Sequence, residues 1–143
     1  MKIKLLTDTA RLPRRITDGS AGYDLSADLT QPEEIAPGEV RMLRTGVAVA
    51  LPAGTVGLVF GRSGLGVRHG IVPANAVGVI DADYRGELMV GLRNQGSTPY
   101  MVQPGERIAQ LVVVPVLTPE LEPVPDLGET ARGENGFGST GTN

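Results

Sequence analysis

The chain has 143 residues, enough for one domain, and its 41% hydrophobic and 20% charged residues are close to the globular average, which argues against wholesale disorder. The net charge of −3 argues against a general nucleic-acid-binding surface, and the absence of cysteine excludes disulfides, thiol nucleophiles and cysteine-based zinc sites. The polar start is too short for a signal peptide, and no apolar run approaches the ~20 residues of a membrane span, so we expect a cytoplasmic protein without a membrane partner.

Glycine and proline are frequent in this chain, and aromatic residues are scarce. Gly accounts for 20 residues and Pro for 11, whereas aromatic residues make up 3% and Trp is absent. Many turns and few large side chains predict short strands packed with Val, Ile, Leu and Ala. Such a core buries little apolar area per residue, so we expect further burial against sister subunits.

Segments of strand length alternate with turn signals along most of the chain. Turn signals stand at Pro37-Gly38, Pro52-Ala53-Gly54, Asn94-Gln95-Gly96 and Pro104-Gly105. Apolar residues alternate in 47–51, 56–60 and 88–92, and the apolar run 108–116 predicts a strand buried on both faces. The best helix candidate is one or two turns beginning near Ser63, which can cap them. This pattern predicts a β-sandwich or barrel.

The last part of the chain changes in composition. Residues 115–125 are rich in Pro and Glu and predict an extended connector. Residues 128–143 contain mostly Gly, Thr, Ser and Asn with a few charges, and their one large apolar residue is Phe137. Composition alone therefore predicts a folded domain over 1–127 and a flexible C-terminal arm over 128–143 that belongs to no core.

The segment Gly61-Arg62-Ser63-Gly64-Leu65-Gly66 suits a phosphate group. A Gly-rich turn that opens a short helix exposes backbone N–H groups, while Arg62 adds a bidentate donor and Ser63 a hydroxyl. A tight structural turn with a surface arginine is an equally good reading of these residues alone.

A second polar segment runs from Asn75 to Gly86. Asp81 ends an apolar strand, where a rigidly held carboxylate can act as general base for a water molecule. Asn75 offers a donor and an acceptor that can read the edge of a pyrimidine. The alternative is a polar hairpin tip without a ligand.

Three further segments carry polar groups in unusual surroundings. Residues 21–25 form a short acidic strand start that contains Asp24, and residues 105–110 place Gln110 inside an apolar run. A buried glutamine needs a hydrogen-bond partner, which is either the main chain or a ligand phosphate. Residues 132–141 resemble a lid, with an aromatic residue for stacking and Arg and Ser for a terminal phosphate.

These five segments, in this order and spacing, resemble the five motifs of the trimeric dUTPase family over about residues 20–141. The resemblance implies an all-β subunit, a distorted β-barrel or jelly roll of the β-clip type, whose arm carries the fifth motif and which assembles as a homotrimer with shared active sites. It implies hydrolysis of dUTP to dUMP and pyrophosphate by water attack at the α-phosphorus, which keeps uracil out of DNA and supplies dUMP for thymidylate synthesis. It also implies Mg²⁺ as cofactor, carried by the triphosphate.

The resemblance further implies a role for individual residues. Asp81 is the base that activates the attacking water, Tyr84 packs on the deoxyribose and excludes a 2′-hydroxyl, and Asn75 reads uracil. Asp24 lies close to the water shell of the metal, and no residue ligates the metal directly. The remaining roles fall to Arg62 in ordering the phosphate site, Ser63, Gly64 and Gln110 on the phosphates, Arg132 and Ser139 on the γ-phosphate, Phe137 over the uracil, and Gly138 as a further substrate-binding residue.

The chain departs from the family pattern at two positions. Gly61 stands where the family often has Pro, which predicts a less rigid turn, and Asn135 stands where the arm usually has Gly. His69, Asp83 and the surface cluster Arg11, Arg14 and Arg15 are interpreted as structural or solvated, although the arginines can steer an anion weakly.

Two other functions fit parts of the pattern. A dCTP deaminase of the same fold needs a glutamate at a position that aligns with Gly91 here. A non-catalytic dUTP-binding trimer has no use for the water-activating carboxylate of Asp81.

Overall fold

The computed structural model describes residues 1–134, which form eleven β-strands and one short helix. The strands are β1 Lys2–Leu5, β2 Tyr23–Ser26, β3 Glu33–Ile35, β4 Val40–Leu43, β5 Val47–Ala50, β6 Thr55–Gly61, β7 Ile71–Pro73, β8 Gly78–Ile80, β9 Val90–Asn94, β10 Tyr100–Val102 and β11 Arg107–Pro115, and the helix is α1 Ser63–His69. The predicted all-β class is confirmed. Within the described residues no helix is long and apolar enough to cross a membrane.

All strand pairs are antiparallel and form four small sheets. The largest has the order β2-β11-β6-β8, a second has the order β4-β9-β7, and β1-β5 and β10-β3 form two-stranded sheets. Side chains such as Leu25 and Leu111 of the first sheet and Leu43 and Leu92 of the second are almost fully buried in one core. The buried members of that core are Leu, Ile, Val and Ala, as the scarcity of aromatic residues predicts.

The outer face of the four-stranded sheet is apolar and only partly covered. It comprises Val56, Leu58, Phe60, Val79, Val112 and Val114. Directly opposed residues of antiparallel strands share a face, and Val112 lies opposite Leu58, which lies opposite Val79. None of these side chains is buried, and Val79 is 64% exposed.

The prediction that the run 108–116 is buried on both faces is therefore wrong for the single chain. Ile108, Ala109 and Leu111 pack in the core, whereas Val112 and Val114 are only half-buried because no part of the described chain covers the outer face.

Local signals fixed several element ends. Gly38, Gly54 and Gly105 adopt positive φ at the predicted turns. Helix α1 begins at Ser63 as predicted, but the capping role of Ser63 is wrong. Arg62 occupies the N-cap position with extended φ and ψ and makes no side-chain capping bond. Ser63 is already inside the helix.

Residues 116–134 contain no strand or helix, which agrees with the predicted connector. Leu117, Leu121 and Leu127 are each more than 90% exposed, so this segment does not pack on the body of its own chain through these side chains. The domain boundary at residue 127 stays a prediction.

Candidate active site

Gln110 lies at the centre of a row of side chains on the outer face of the largest sheet. The register places Asp24 on one side of Gln110 and Phe60 on the other. The side-chain amide Nε2 of Gln110 donates to the carbonyl oxygen of Gly61 at 3.1 Å. Of the two partners that the sequence left open, the main chain is therefore present. An amide carries two N–H groups, so one remains for a ligand.

Asp24 is held between two arginines. Arg107 Nη1 lies 2.8 Å from one carboxylate oxygen and Arg62 Nε lies 3.4 Å from the other. Arg62 also donates to the carbonyl oxygen of Arg107 at 3.1 Å. The side chain of Asp24 is 16% exposed, so the carboxylate is fixed yet reachable.

The phosphate-loop residues follow directly after β6. Ser63 and Gly64 are exposed at the start of α1, where the first N–H groups of a helix have no partner within it. A Cβ on Gly61 would lie 2.8 Å from Cδ of Pro73, so glycine here makes room for the proline ring. We call Asp24, Arg62, Ser63, Gly64 and Gln110 the sheet half.

A tight turn between β7 and β8 carries Asn75, and because these two strands belong to different sheets and do not pair, the hairpin considered from the sequence is not formed. In this turn the Ala76 N–H donates to Pro73 O at 3.2 Å, and Ala76 adopts a φ of 63°. Asn75 is exposed and lines a cleft of about 200 Å³ together with Met42, Ile80, Met89 and Gly91 among others. The turn therefore presents an amide beside a small, mostly apolar cleft, which has the chemistry of a nucleobase slot.

Asp81 follows β8 immediately and is exposed. The Tyr84 N–H donates to Asp81 O at 3.1 Å and closes a turn. Asp81 and Tyr84 line a second cleft of about 200 Å³, which shares Ile80 and Met89 with the cleft at Asn75. Because the two clefts adjoin, we group Asn75, Asp81 and Tyr84 as the hairpin half; the name refers to the hairpin considered in the sequence analysis, since β7 and β8 themselves do not pair.

Tyr84 is fixed by a residue that the sequence did not single out. Its ring covers Gly86, where any Cβ would collide with it, and its hydroxyl donates to Glu87 O at 3.1 Å. The Glu87 carboxylate accepts the Gly46 N–H at 2.8 Å and pairs with Arg44 Nη2 at 3.1 Å. Arg44 and Glu87 are 43 residues apart, so no local pattern indicates the pair.

Asp81 and Ser63 lie towards opposite ends of β6. Gly78 lies opposite Val59 and Ile80 opposite Gly57, so β8 runs back towards the start of β6. Asp81 continues in that direction, whereas Ser63 lies beyond the other end. At ~3.3 Å per strand residue, Asp81 and Ser63 of one chain are about 20 Å apart. Within residues 1–134, the predicted site residues form two groups, and Asp81 and Ser63 are too far apart to contact the same phosphate.

The arm contributes little to the described structure. Arg132 is exposed and lies near the end of the described residues. Phe137, Gly138 and Ser139, together with Asn135, lie outside the described residues. His69 is exposed, and its ring packs against Tyr100 with centroids 5.0 Å apart.

Residues 1–134 contain no group of three or more His, Asp or Glu side chains that can hold a metal ion. A site made only of protein ligands is therefore absent from this part of the chain. One fixed, reachable carboxylate at Asp24 suits an ion that keeps its waters and is carried by phosphate oxygens, as Mg²⁺ commonly is.

Comparison with known proteins gives this geometry a family context. The family model for dUTPase matches residues 8–141. Two curated relatives named deoxyuridine 5'-triphosphate nucleotidohydrolase come from Alcanivorax borkumensis and Desulfitobacterium hafniense. They are 48% and 51% identical to this chain, over 95% and 92% of its length and 91% and 87% of theirs.

Solved structures agree with these relatives. The Staphylococcus bacteriophage 80alpha dUTPase with dUPNHPP matches with a TM-score of 0.89 and 34% identity, over 98% of this chain and 97% of that one. A mutant dUTPase from phage phi11 of S. aureus, described with a structural Mg(II) ion, matches with a TM-score of 0.80 and 30% identity, over 88% and 97%.

Proposed function

This chain belongs to the dUTPase family, and on that premise we propose that it hydrolyses dUTP to dUMP and pyrophosphate at sites that combine several copies of the chain. Relatives that are about half identical over nearly the whole chain carry the name of this activity. A dUMP-forming hydrolase keeps uracil out of DNA and supplies the precursor of thymidylate.

The observation that carries the shared site is the separation of Asp81 from Ser63 along β6. These two residues, which must act on one nucleotide, are about 20 Å apart in one chain, so a complete site needs the Asp81 of another copy. The half-exposed outer face supports such an assembly, because apolar surface of this kind is stabilised by burial against a partner. The family assembly is a homotrimer, and a closed three-fold ring supplies each sheet half with one hairpin half.

Asp81 is proposed as the general base. Its exposed carboxylate accepts a proton from a water molecule as the water oxygen bonds to the α-phosphorus. The bond from that phosphorus to the α–β bridging oxygen breaks, and pyrophosphate leaves. Tyr84, fixed through Glu87, is proposed to pack on the deoxyribose, and Asn75 to read the edge of uracil.

The sheet half is proposed to bind the phosphates. The Ser63 hydroxyl, the Gly64 N–H and the second N–H of Gln110 are donors without charge, and Arg62 orders them by bridging Asp24 and Arg107 O. The arm residues Arg132, Phe137, Gly138 and Ser139 are proposed to close over the bound nucleotide from another copy.

Mg²⁺ is the proposed cofactor, and Asp24 is the residue that would hold it, through its water shell. When bound, the ion neutralises charge on the leaving pyrophosphate. Arg62 and Arg107 hold the Asp24 carboxylate in position, so it is ready to accept hydrogen bonds from the waters of the ion. A cytoplasmic location stays a prediction from the sequence.

The test is hydrolysis of a panel of nucleoside triphosphates by the purified protein, with and without Mg²⁺. We expect pyrophosphate from dUTP in the presence of Mg²⁺ and strong rejection of UTP and dTTP, because a packed ring and a tight main-chain turn relax little. Equal kcat/KM values for dUTP and UTP would refute the role of Tyr84. Equal values for dUTP and dTTP would refute the role of the turn.

The deaminase alternative finds no support at Gly91. Gly91 forms part of the cleft wall beside Asn75, and a Cβ there would lie 2.9 Å from Met42 Sδ. A glutamate at this position is absent. Ammonia release from dCTP would restore the alternative, and dUTP binding without pyrophosphate release would favour a binding module.

A further inference from the structure

A basic cleft of about 630 Å³ adjoins the sheet half. Its lining contains four arginines, Arg11, Arg14, Arg62 and Arg107, and two carboxylates, Asp24 and Glu106. Four positive charges against two negative ones leave an excess of two, in a chain whose net charge is −3. The cleft therefore concentrates positive potential in an acidic protein, which favours a multiply charged anion.

The strand register places Arg14 in the row of the sheet half. Arg14 forms an antiparallel bridge with Asp24, whose N–H donates to Arg14 O at 2.9 Å, and Asp24 lies opposite Gln110. Directly opposed residues share a face, so Arg14, Asp24 and Gln110 lie side by side. Neighbouring strands are ~4.8 Å apart, so the Cα atoms of Arg14 and Gln110 are roughly 10 Å apart, a distance that an arginine side chain and a phosphate chain can bridge together.

Arg14 differs from the other arginines in its contacts. Arg107 and Arg62 pair with Asp24, and Arg11 donates to Gly105 O at 3.0 Å. Within residues 1–134 the guanidinium of Arg14 makes no hydrogen bond or ion pair, although it lines the cleft. The neighbouring Arg15 does not line it and donates to Asp18 O at 3.1 Å.

We propose that Arg14 binds the β- and γ-phosphates of the nucleotide and extends the sheet half beyond the five family motifs. The inference rests on the proposed function. A guanidinium with all donors available forms bidentate, charge-assisted bonds to phosphate oxygens. An N-terminal residue that the sequence assigned to a solvated surface strip thereby becomes part of the site.

The experiment measures dissociation constants of two nucleotides by calorimetry with Mg²⁺ present: the non-hydrolysable triphosphate dUpNHpp and the monophosphate dUMP. Arg14→Gln is expected to weaken dUpNHpp about tenfold, the loss of one charge-assisted contact, and to leave dUMP unchanged because dUMP has no β- or γ-phosphate. Arg14→Lys is expected to recover part of the loss, since lysine keeps the positive charge but cannot form the bidentate contact of a guanidinium. Arg15→Gln is the matched control and is expected to bind both nucleotides normally.

Two results would overturn the assignment. Unchanged dUpNHpp binding by Arg14→Gln would show that Arg14 makes no contact to the phosphates. Equal weakening of dUpNHpp and dUMP would show that Arg14 supports the whole site and makes no specific contact to the β- and γ-phosphates. Wild-type protein that releases no pyrophosphate from dUTP would instead refute the proposed function, so the two failures are distinguishable.

Discussion

In the sheet half, Asp24, Arg62 and Gln110 each have a partner from their own chain, whereas Asp81 and Asn75 of the hairpin half are exposed and make no side-chain hydrogen bond within residues 1–134. The sheet half is fixed in advance by ion pairs and lies on the largest sheet. The hairpin half is fixed through its main-chain turns, and its reactive groups face outward from the edge strand β8.

The difference matches the chemistry proposed for each half. Groups that hold a highly charged ligand act best when they need no rearrangement on binding. A carboxylate that takes a proton from water must instead be reachable by that water. On the proposed function, the chain separates charge binding from proton transfer, and assembly would join them.

The largest expected effect comes from removing the reactive group of the hairpin half. Asp81→Asn should lower kcat by at least ~10²–10⁴-fold while dUpNHpp still binds, because a general base is lost and the phosphate contacts remain. Asp83→Asn, two residues away in the same exposed turn, is the control and should keep normal kcat. Near-normal turnover by Asp81→Asn would remove it from the mechanism.

The separation of the halves can be tested directly by mixing chains. Asp81→Asn carries an intact sheet half, and Gln110→Ala carries an intact hairpin half. In a three-fold ring every mixed trimer contains one complete site, so equal co-refolding should restore about a quarter of wild-type activity. Pyrophosphate release measures it, with each variant refolded alone as control. Background activity after proven mixing would mean that one chain completes its own site.

The contacts of Glu87 that hold the Tyr84 hydroxyl in place, which we call the clamp, predict a smaller change in selectivity. Glu87→Ala removes the contacts to Arg44 and the Gly46 N–H, so the carbonyl that accepts the Tyr84 hydroxyl becomes less fixed. We expect the ratio of kcat/KM for dUTP over UTP to fall about fivefold, the equivalent of one weakened hydrogen bond.

A matched control exists for this variant. Glu39 also pairs with an arginine, Arg41 at 2.8 Å, and accepts a main-chain N–H, that of Ala36 at 3.0 Å. It lines neither cleft of the hairpin half. Glu39→Ala should therefore leave the ratio unchanged, and equal ratios for the two variants would contradict the clamp.

Gly61, which precedes the phosphate-loop residues, contacts Pro73, which precedes the turn that carries Asn75. Gly61→Ala places Cβ against the proline ring and should cost about 1–3 kcal/mol of unfolding free energy, as overpacking does. Pro73→Ala should relieve most of that cost, so a double-mutant cycle by chemical denaturation should show coupling. Additive effects of the two substitutions would indicate that the contact relaxes freely.

The smallest expected effect concerns Asp28, whose hydrogen bonds with Thr7 and Thr9 hold the N-terminal segment that leads to Arg14. Burial raises the pKa of Asp28, but hydrogen bonds from Thr7 and Thr9 at 2.7 Å and the charge of Arg44 outweigh it, so the pKa lies below its ordinary value of 3.8. A lowered pKa adds stability above that ordinary value, and the contribution is lost as pH falls through the folded-state pKa.

Asp28→Asn should therefore cost about 1 kcal/mol at neutral pH, since the contact is partly solvated. The difference from wild type should shrink in acid. Thermal unfolding between neutral pH and pH 3 measures both, with the exposed Asp8→Asn as control. A pH-independent difference would assign the effect to packing alone.

Local patterns predicted the strands well and their environment less well. Strands at 47–51 and 56–60 appear within one or two residues, because turn glycines and alternation are local signals. The strand expected at 88–92 runs instead over Val90–Asn94, since the Leu88 N–H is taken by Val47 O. The outer face of β11 was mispredicted because an apolar run does not reveal what covers each face of a strand, and no part of residues 1–134 covers this one.

For the site, the sequence indicated the residues but not their arrangement. Asp81 at a strand end and Ser63 at a helix start are local features, and both are seen. The distance between them depends on the pairing of β6 with β8, and the Glu87–Arg44 pair on a contact across 43 residues. Their catalytic roles stay predictions until the variants are measured.

The antiparallel pairing of β6 with β8 has a genetic consequence. If a chain defective in both halves is co-expressed with the normal chain, a trimer with one defective member keeps one complete site, and a trimer with two keeps none. Equal expression would then leave about a quarter of full activity, where independent subunits would leave half. Such an allele would be dominant-negative, because a defective subunit also inactivates a site that it shares with a normal neighbour in the ring.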